Sequence, residues 1–345
     1  MNEGITSSEI EKLPMLFILG SSRSGTTLMQ EMLDSHPQIV GPPESDFILF
    51  LYPKFGGIKR WTEKTVHDFV EDLFSLPRIS KIWLLNKANL FEELIRLREG
   101  LNYQLACKIV FLQKKNNKEN ILLISDKDPR NSYFANKLLG IFPEARFIHI
   151  IRDPRDVING HIKRLKKKNT FFISRQWVGL NQAIEKVKEQ FPQQFITVIY
   201  EKMVTNPNDT FKLLCEFLNV PYDNSIMKNK FAENVENLKE EAIFERYKEI
   251  HESLLKPINA SNIGKWKTEL DEYDLAVTEN ITGKYAKEKY GYLLGESKPN
   301  KHISAYRLFK TKVVYALWEG FTKARYNWYK FNSYYRKNYL KGYGL

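Results

Sequence analysis

The sequence predicts an α/β protein built on a P-loop-type central parallel sheet flanked by helices, with an inserted helical region and a C-terminal helical tail. Three observations lead to that fold class. Short apolar, β-rich runs recur, each ends at polar or glycine-rich residues, and each is followed by a pattern of helical period. Buried parallel strands alternate with crossover helices in this way. The first run passes directly into a glycine-flanked loop at the start of its helix. With 345 residues, 43% of them hydrophobic, the chain can bury a core large enough for such a sheet.

Taken in order, strands are expected at 15–20, 120–125, 145–151 and 195–200, in a sheet of about four to five strands. Helical patterns follow at 26–34, 132–142, 153–167, 176–190, 208–218 and 269–290. In the first helix Leu28, Met29, Met32 and Leu33 keep one face apolar. Asp34-Ser35-His36-Pro37 ends it, because the residue before a proline is driven out of the helical region. Between 45 and 119 the pattern is helical and irregular without a clear strand, which reads as an insertion over the sheet. Pro299-Asn300-Lys301-His302 marks a boundary, so the main domain is expected at 1–297 and a tail at 298–345.

Composition narrows the function classes. Apolar stretches such as 15–19 fall far short of the roughly 18–20 residues of a bilayer span, and no apolar signal segment follows Met1-Asn2-Glu3. Cys107 and Cys215 stand in neither a CxxC nor a ligand-like spacing, so neither a disulfide framework nor a structural zinc is indicated. The expected compartment is the reducing cytoplasm. The net charge of +12 is uneven: residues 298–345 hold eleven Lys and Arg against one acid, Glu319, leaving only +2 for the remainder. The basic balance therefore describes a tail and not a nucleic-acid-binding body.

In that tail Phe309, Val313, Leu317, Phe321, Ala324, Trp328, Phe331 and Tyr335 recur every three or four residues among Lys and Arg, with Gly320 weakening the middle. A basic amphipathic helix of this kind suits peripheral contact with an anionic membrane. It suits equally a helix packed on this protein or on the second subunit of a homodimer. Nucleic acid is the least favoured partner.

Three motifs carry chemistry. Gly20-Ser21-Ser22-Arg23-Ser24-Gly25-Thr26-Thr27 joins the first strand to its helix. A glycine-flanked loop there turns successive backbone N–H groups and the positive helix end toward one point, an anion site. Its spacing is that of a Walker A loop, yet Thr26 stands where a nucleotide triphosphatase needs lysine, and Arg23 supplies a cation inside the loop instead. The second motif, Arg152-Asp153-Pro154-Arg155-Asp156, closes the strand 147–151, with Arg164 twelve residues beyond Arg152 on the following helix. Two guanidinium groups near a strand's carboxyl end suit a second phosphate, whereas Arg155, Lys163 and 166–168 read as solvated. The third, Ser125-Asp126-Lys127-Asp128-Pro129, lies at another strand end of the same sheet. His36 and His149 read as structural residues.

Together these elements resemble the sulfotransferases that use 3′-phosphoadenosine-5′-phosphosulfate (PAPS), and most closely the tyrosylprotein sulfotransferases and their bacterial relatives. The family's P-R-S-G-T-T-L-M is echoed by Ser22 through Met29, and its G-x-E-[TS] by Gly41-Pro42-Pro43-Glu44-Ser45, with Glu44 21 residues after Arg23. K-D-P is Lys127-Asp128-Pro129, and R-D-x-R is Arg152-Asp153-Pro154-Arg155. Y-E-x-L-V appears as Tyr200-Glu201-Lys202-Met203-Val204, and the late K-P-[VI]-N…K-W as Lys256-Pro257-Ile258-Asn259 with Lys265-Trp266. Six motifs in order, over about residues 15–292, are far more specific than any one alone.

The resemblance implies that Ser22, Arg23, Ser24, Gly25, Thr26 and Thr27 hold the 5′-phosphosulfate, Arg152 and Arg164 the 3′-phosphate, and that Tyr200 also contacts the cofactor. Glu44 is the implied base, and Arg23 with Lys127 the cations on the transferring group, all three converging on one reaction centre. Gly160 and Gly264 depart from the family, which usually has serine at both places. The implied cofactor is PAPS, with adenosine 3′,5′-bisphosphate as product and no metal. The acceptor is a hydroxyl of a lipid, sterol, carbohydrate, small molecule or protein tyrosine. The run 47–52 suits either an apolar wall for such an acceptor or the core of the inserted helices. A P-loop kinase of small molecules, and a non-catalytic nucleotide-binding adaptor, are the alternative readings; Thr26 argues against the first.

Overall fold

A computed structural model describes residues 6–116, 118–165, 169–222, 258–295 and 305–328. Its strands β1 (Met15–Gly20), β2 (Ile39–Val40), β3 (Leu123–Lys127), β4 (Arg146–Ile151) and β5 (Phe195–Ile199) make one sheet in the order β2-β3-β1-β4-β5. Every pairing is parallel. β2 has two residues, too few for a pattern to announce it in the sequence. β3 starts at Leu123 and not at 120, and runs on to carry Lys127 opposite Ile18 of β1.

The helices are α1 (Ser7–Lys12), α2 (Thr26–Asp34), α3 (Phe47–Phe55), α4 (Glu63–Phe74), α5 (Lys87–Arg96), α6 (Tyr103–Leu112), α7 (Ala135–Ile141), α8 (Pro154–Leu165), α9 (Thr170–Gln190), α10 (Tyr200–Thr205), α11 (Pro207–Leu218), α12 (Trp266–Glu269), α13 (Glu272–Tyr290) and α14 (Ala305–Trp328). Where these differ from expectation, a cap or a proline decides. α9 begins at Thr170 and not 176 because the Asn169 side chain caps it, accepting from the Phe172 N–H. The pattern at 269–290 divides because Asp271 caps α13, accepting from the Asp274 N–H at 2.8 Å. The pattern at 132–142 divides between a 3₁₀ turn, Pro129–Tyr133, and α7.

The strands read as continuous apolar runs because both faces of the sheet are covered. Successive β1 side chains go to opposite sides. Met15, Phe17 and Leu19 enter one core with the inserted helices α3 to α6, while Leu16 and Ile18 enter the other with α2, α10 and α11. The insertion at 45–119 is helical among the described residues, as expected, and its run Phe47–Leu51 is fully buried. Phe47 packs against Phe111 at 5.3 Å and edge-on to Trp83 at 6.1 Å. That run therefore belongs to the core of the inserted helices.

The topology places a crevice. From β1 the chain leads outward to β2 on one side, and from β4 to β5 on the other. Loops leaving the carboxyl ends of β1 and β4 thus diverge and open a cleft between them, the usual ligand position of a doubly wound sheet. Among the described residues, no helix is long and apolar enough to cross a membrane.

The sheet's own aromatic stack offers a test of the fold. Phe147 is fully buried, stacked on Phe195 at 4.5 Å and on Phe17 at 5.7 Å. Phe147→Ala should cost about 3–5 kcal/mol of unfolding free energy, read from denaturant melts. A loss under about 1 kcal/mol would show that these rings do not brace the sheet.

Candidate active site

The loop after β1 owes its shape to two glycines. Gly20 has φ +153°, and a Cβ there would meet the Ile150 carbonyl oxygen at 2.7 Å. Gly25, the N-cap of α2, has φ +93°, and its Cβ would meet the Tyr200 ring at 2.5 Å. Between them Arg23 also adopts a left-handed backbone, φ +72°, at a cost of roughly 1–2 kcal/mol for a residue with a Cβ. The turn is held by the Ser24 N–H, which donates to the Ser21 carbonyl at 3.1 Å, and by Arg152, whose Nη1 donates to the Arg23 carbonyl at 2.8 Å. No side chain caps α2, and among the described residues the buried Ser24 Oγ has no hydrogen-bond partner. The amides of an uncapped helix start and an orphaned hydroxyl thus share one cradle.

Lys127 and Glu44 meet beside this loop. Lys127, at the last position of β3, donates from Nζ to Glu44 Oε1 at 2.6 Å and to Thr27 Oγ1 at 3.1 Å. The other carboxylate oxygen of Glu44 pairs with Arg78 Nη2 at 2.7 Å. Arg78 lies in a π-helical turn, Arg78–Trp83, of the insertion, and also donates to the Ser45 carbonyl at 3.3 Å and to Asp128 at 3.4 Å. Asp128 in turn pairs with Arg130. Burial pushes the Glu44 pKa up, but the charges of Lys127 and Arg78 outweigh it and hold the carboxyl at about 2. Asp126, one residue before Lys127, takes the opposite face. There burial, and then the charge of Asp128, raise its pKa to about 7.

The arginines form a second cluster, across the loop. Arg152 lies face-on to Tyr200 at 4.3 Å, donates to the Asn262 carbonyl at 2.5 Å, and leaves its buried Nε without a partner among the described residues. Arg23, inside the loop, lies beside this cluster. Its side chain runs beside Gly160 of α8, where a serine Cβ would come within 3.3 Å of Nε. Desolvation, and then the charges of Arg164 and Arg152, push the Arg23 pKa down. Arg23, Arg152 and Arg164 therefore lie within one electrostatic field. His161, whose Nε2 lies 3.2 Å from the Ser22 carbonyl, is held neutral, its pKa lowered to about 4 by desolvation and then by Arg23.

Other motif residues buttress the site. Arg155, expected to be solvated, is buried: it chelates Asp153, reaches Glu279 at 3.3 Å and stacks on Trp266 at 3.8 Å. Glu201 accepts from the Asp153 N–H at 3.0 Å and from Tyr292 at 2.7 Å. Gly264 has φ +71° and donates its N–H to Asp156 at 2.7 Å, so glycine suits a left-handed turn that a serine would strain. His149 and His36 are structural, as expected: buried His149 bonds Asn181 at 2.9 Å, and His36 accepts from the Gln38 N–H at Nδ1 while Nε2 meets the Pro221 carbonyl. Lys256, Pro257 and 166–168 lie outside the described residues. Arg78 was not singled out in the sequence; its one signal there is a charged residue in the apolar stretch Leu76-Pro77-Arg78-Ile79.

An anion loop after β1, a basic residue closing β3 and an arginine directly after β4 define an anion-binding crevice at the carboxyl end of a P-loop-type sheet. Residues 14–224 match the model of the sulfotransferase family, and the chain belongs to that family. It is 25% identical over 337 residues to a protein-tyrosine sulfotransferase of Drosophila melanogaster, covering 90% of this chain but only 59% of that protein. It is 26% identical over 277 residues to protein-tyrosine sulfotransferase 1 of Danio rerio, covering 77% of this chain and 70% of the relative. The fold is shared with the sulfotransferase domain of the Synechococcus PCC 7002 olefin synthase, at TM-score 0.51 and 21% identity over 82% of this chain and 97% of that one. The sulfotransferase domain of the curacin biosynthetic pathway has the same TM-score and identity, over 82% of this chain and 99% of that one.

The electrostatics of Glu44 can be checked directly. Its folded pKa lies below its ordinary value, so the stability it contributes is complete above about 4.5 and is lost as pH falls through about 2. Arg78→Gln removes one of the three cations that hold the carboxyl down, and should raise the Glu44 titration midpoint by one unit or more, about the effect of one adjacent charge. Carbon-detected NMR of the carboxyl measures it; an unmoved midpoint would mean that Lys127 and Arg130 hold the proton off without Arg78.

Proposed function

We propose that this protein transfers a sulfuryl group from PAPS to a hydroxyl group of an acceptor. The observation that carries the reading is the contact of Lys127 with both Glu44 and Thr27, which joins a carboxylate, a cation and the anion loop within hydrogen-bond reach. Family membership supports it, and the two relatives described above are named as protein-tyrosine sulfotransferases. The crevice suits an anionic ligand: among the described residues Ser24 Oγ and Arg152 Nε are buried without a hydrogen-bond partner, and Gly25 leaves no room for a side chain against Tyr200. Ser22 to Thr27 would hold the 5′ end, with Arg152 and Arg164 at the 3′-phosphate and Tyr200 behind Arg152. When bound, PAPS supplies an activated sulfuryl group whose bond to the phosphate oxygen breaks as the acceptor oxygen attacks.

Glu44 is the group that accepts the acceptor's proton. In the resting site it is ionised, the required form, but at a pKa near 2 it is a weak base. Its basicity is gated by Lys127. As the ammonium turns from Glu44 Oε1 toward negative charge gathering near Thr27, the carboxylate loses its nearest cation and its pKa climbs. The same movement places a positive charge where it lowers the barrier. Arg78 keeps the other carboxylate oxygen oriented throughout.

Two measurements test this reading. In calorimetric titrations, Arg164→Ala should weaken adenosine 3′,5′-bisphosphate by roughly 1.5–3 kcal/mol, the scale of a charge-assisted contact, and leave adenosine 5′-phosphate almost unchanged. Equal losses for both ligands would remove Arg164 from the 3′-phosphate. In an assay following bisphosphate release from PAPS with a panel of phenols, sterols and tyrosine peptides, Glu44→Gln should depress turnover by roughly 10²–10⁴-fold while bisphosphate binding survives. Turnover near that of the unaltered protein would sink Glu44 as the base.

A further inference from the structure

We propose that the outward face of α14 is a docking surface for an anionic lipid bilayer, a property separate from sulfuryl transfer. α14 presents two faces with different fates. On one, Tyr315 is buried against Gly179 of α9, its hydroxyl 3.3 Å from that of Tyr133, and Trp318 packs on Phe172 at 5.2 Å and Tyr133 at 5.9 Å. This face is what joins the tail to the domain. Phe309, Val313, Leu317 and Phe321, at four-residue steps, follow the other side of the helix and are exposed by 66%, 42%, 70% and 57%. The stripe that a packed helix would bury is thus the one that the domain leaves in solvent.

Single exposed apolar side chains are ordinary, but a contiguous row along one helix face marks an interaction surface. Charge indicates which partner it fits. α14 carries Arg307, Lys310, Lys312, Lys323 and Arg325 against one acid, Glu319, and the whole tail carries ten of the chain's twelve net positive charges. Lys310 and Lys312 are exposed beside the row. Large apolar side chains bordered by cations match a bilayer interface with anionic headgroups, where both the apolar area and the charge contribute to binding. The helix does not cross the bilayer; it lies along it.

The full chain should sediment with vesicles of phosphatidylcholine mixed with phosphatidylserine at low salt, and bind less as salt screens the charges. Vesicles of phosphatidylcholine alone should bind it less well. The triple variant Phe309→Ser, Leu317→Ser, Phe321→Ser changes only exposed positions. It should keep its melting temperature and its affinity for adenosine 3′,5′-bisphosphate, and lose vesicle affinity by about tenfold or more. The double variant Lys310→Glu, Lys312→Glu should lose binding to the mixed vesicles alone. Three outcomes would overturn the proposal: no sedimentation of the full chain at low salt, undiminished binding by the triple variant, or a triple variant whose only change is dissociation of an oligomer in light scattering. The last would assign the face to a second copy of the chain.

Discussion

The ammonium of Lys127 is the group on which the site depends, because it is shared between two segments that the chain supplies separately. Thr27 belongs to the first turn after the anion loop, and Glu44 to the loop that leads into the inserted helices. A nearly buried cation must be paired where it sits. Lys127 therefore dictates how the carboxyl end of β3, the start of α2 and the insertion come together. Arg78 closes the arrangement from the insertion side, so that Glu44 is gripped by one cation from the sheet and one from the helices above it.

Two charged clusters flank the anion loop, and they differ in balance. Around Glu44, the acids Glu44, Asp46 and Asp128 are matched by Lys127, Arg78 and Arg130. On the other side Arg23, Arg152 and Arg164 share a field in which Asp156 stands 3.9 Å from Arg152. Gathering like charges is unfavourable until an anion arrives, and the left-handed backbone of Arg23 adds strain to the same loop. Unfavourable charge and strain held in place by a packed sheet are a form of preorganisation. The domain carries both because Arg152 is clamped by two carbonyls and the Tyr200 ring, and α8 by Arg155 and Trp266.

The tail follows the same division between packing and binding. Its aromatic residues serve two purposes according to their angle around the helix. Tyr315 and Trp318 fasten it to α9 and to the 3₁₀ turn that follows Lys127, while Phe309, Phe321 and Leu317 face away. The helix is thereby tied to the part of the domain that carries Lys127, with its apolar row turned outward.

Much of the framework could be read from sequence because its causes are local. Apolar runs ending in turns announced four strands, and the anion loop was legible since two glycines, a strand and a helix start lie within a dozen residues. The position of Lys127 at a strand end followed from the same pattern. Four features depended on contacts between distant segments. Arg78 reaches Glu44 only through the packing of the insertion, Arg155 is buried because Trp266 arrives from far along the chain, and Arg23 turns toward α8 because Gly160 leaves room beside it. The apolar stripe of the tail was visible as a periodicity, but its orientation was not. Period alone shows that a face exists; which face is buried depends on what the rest of the fold presents, here a glycine in α9 that admits Tyr315.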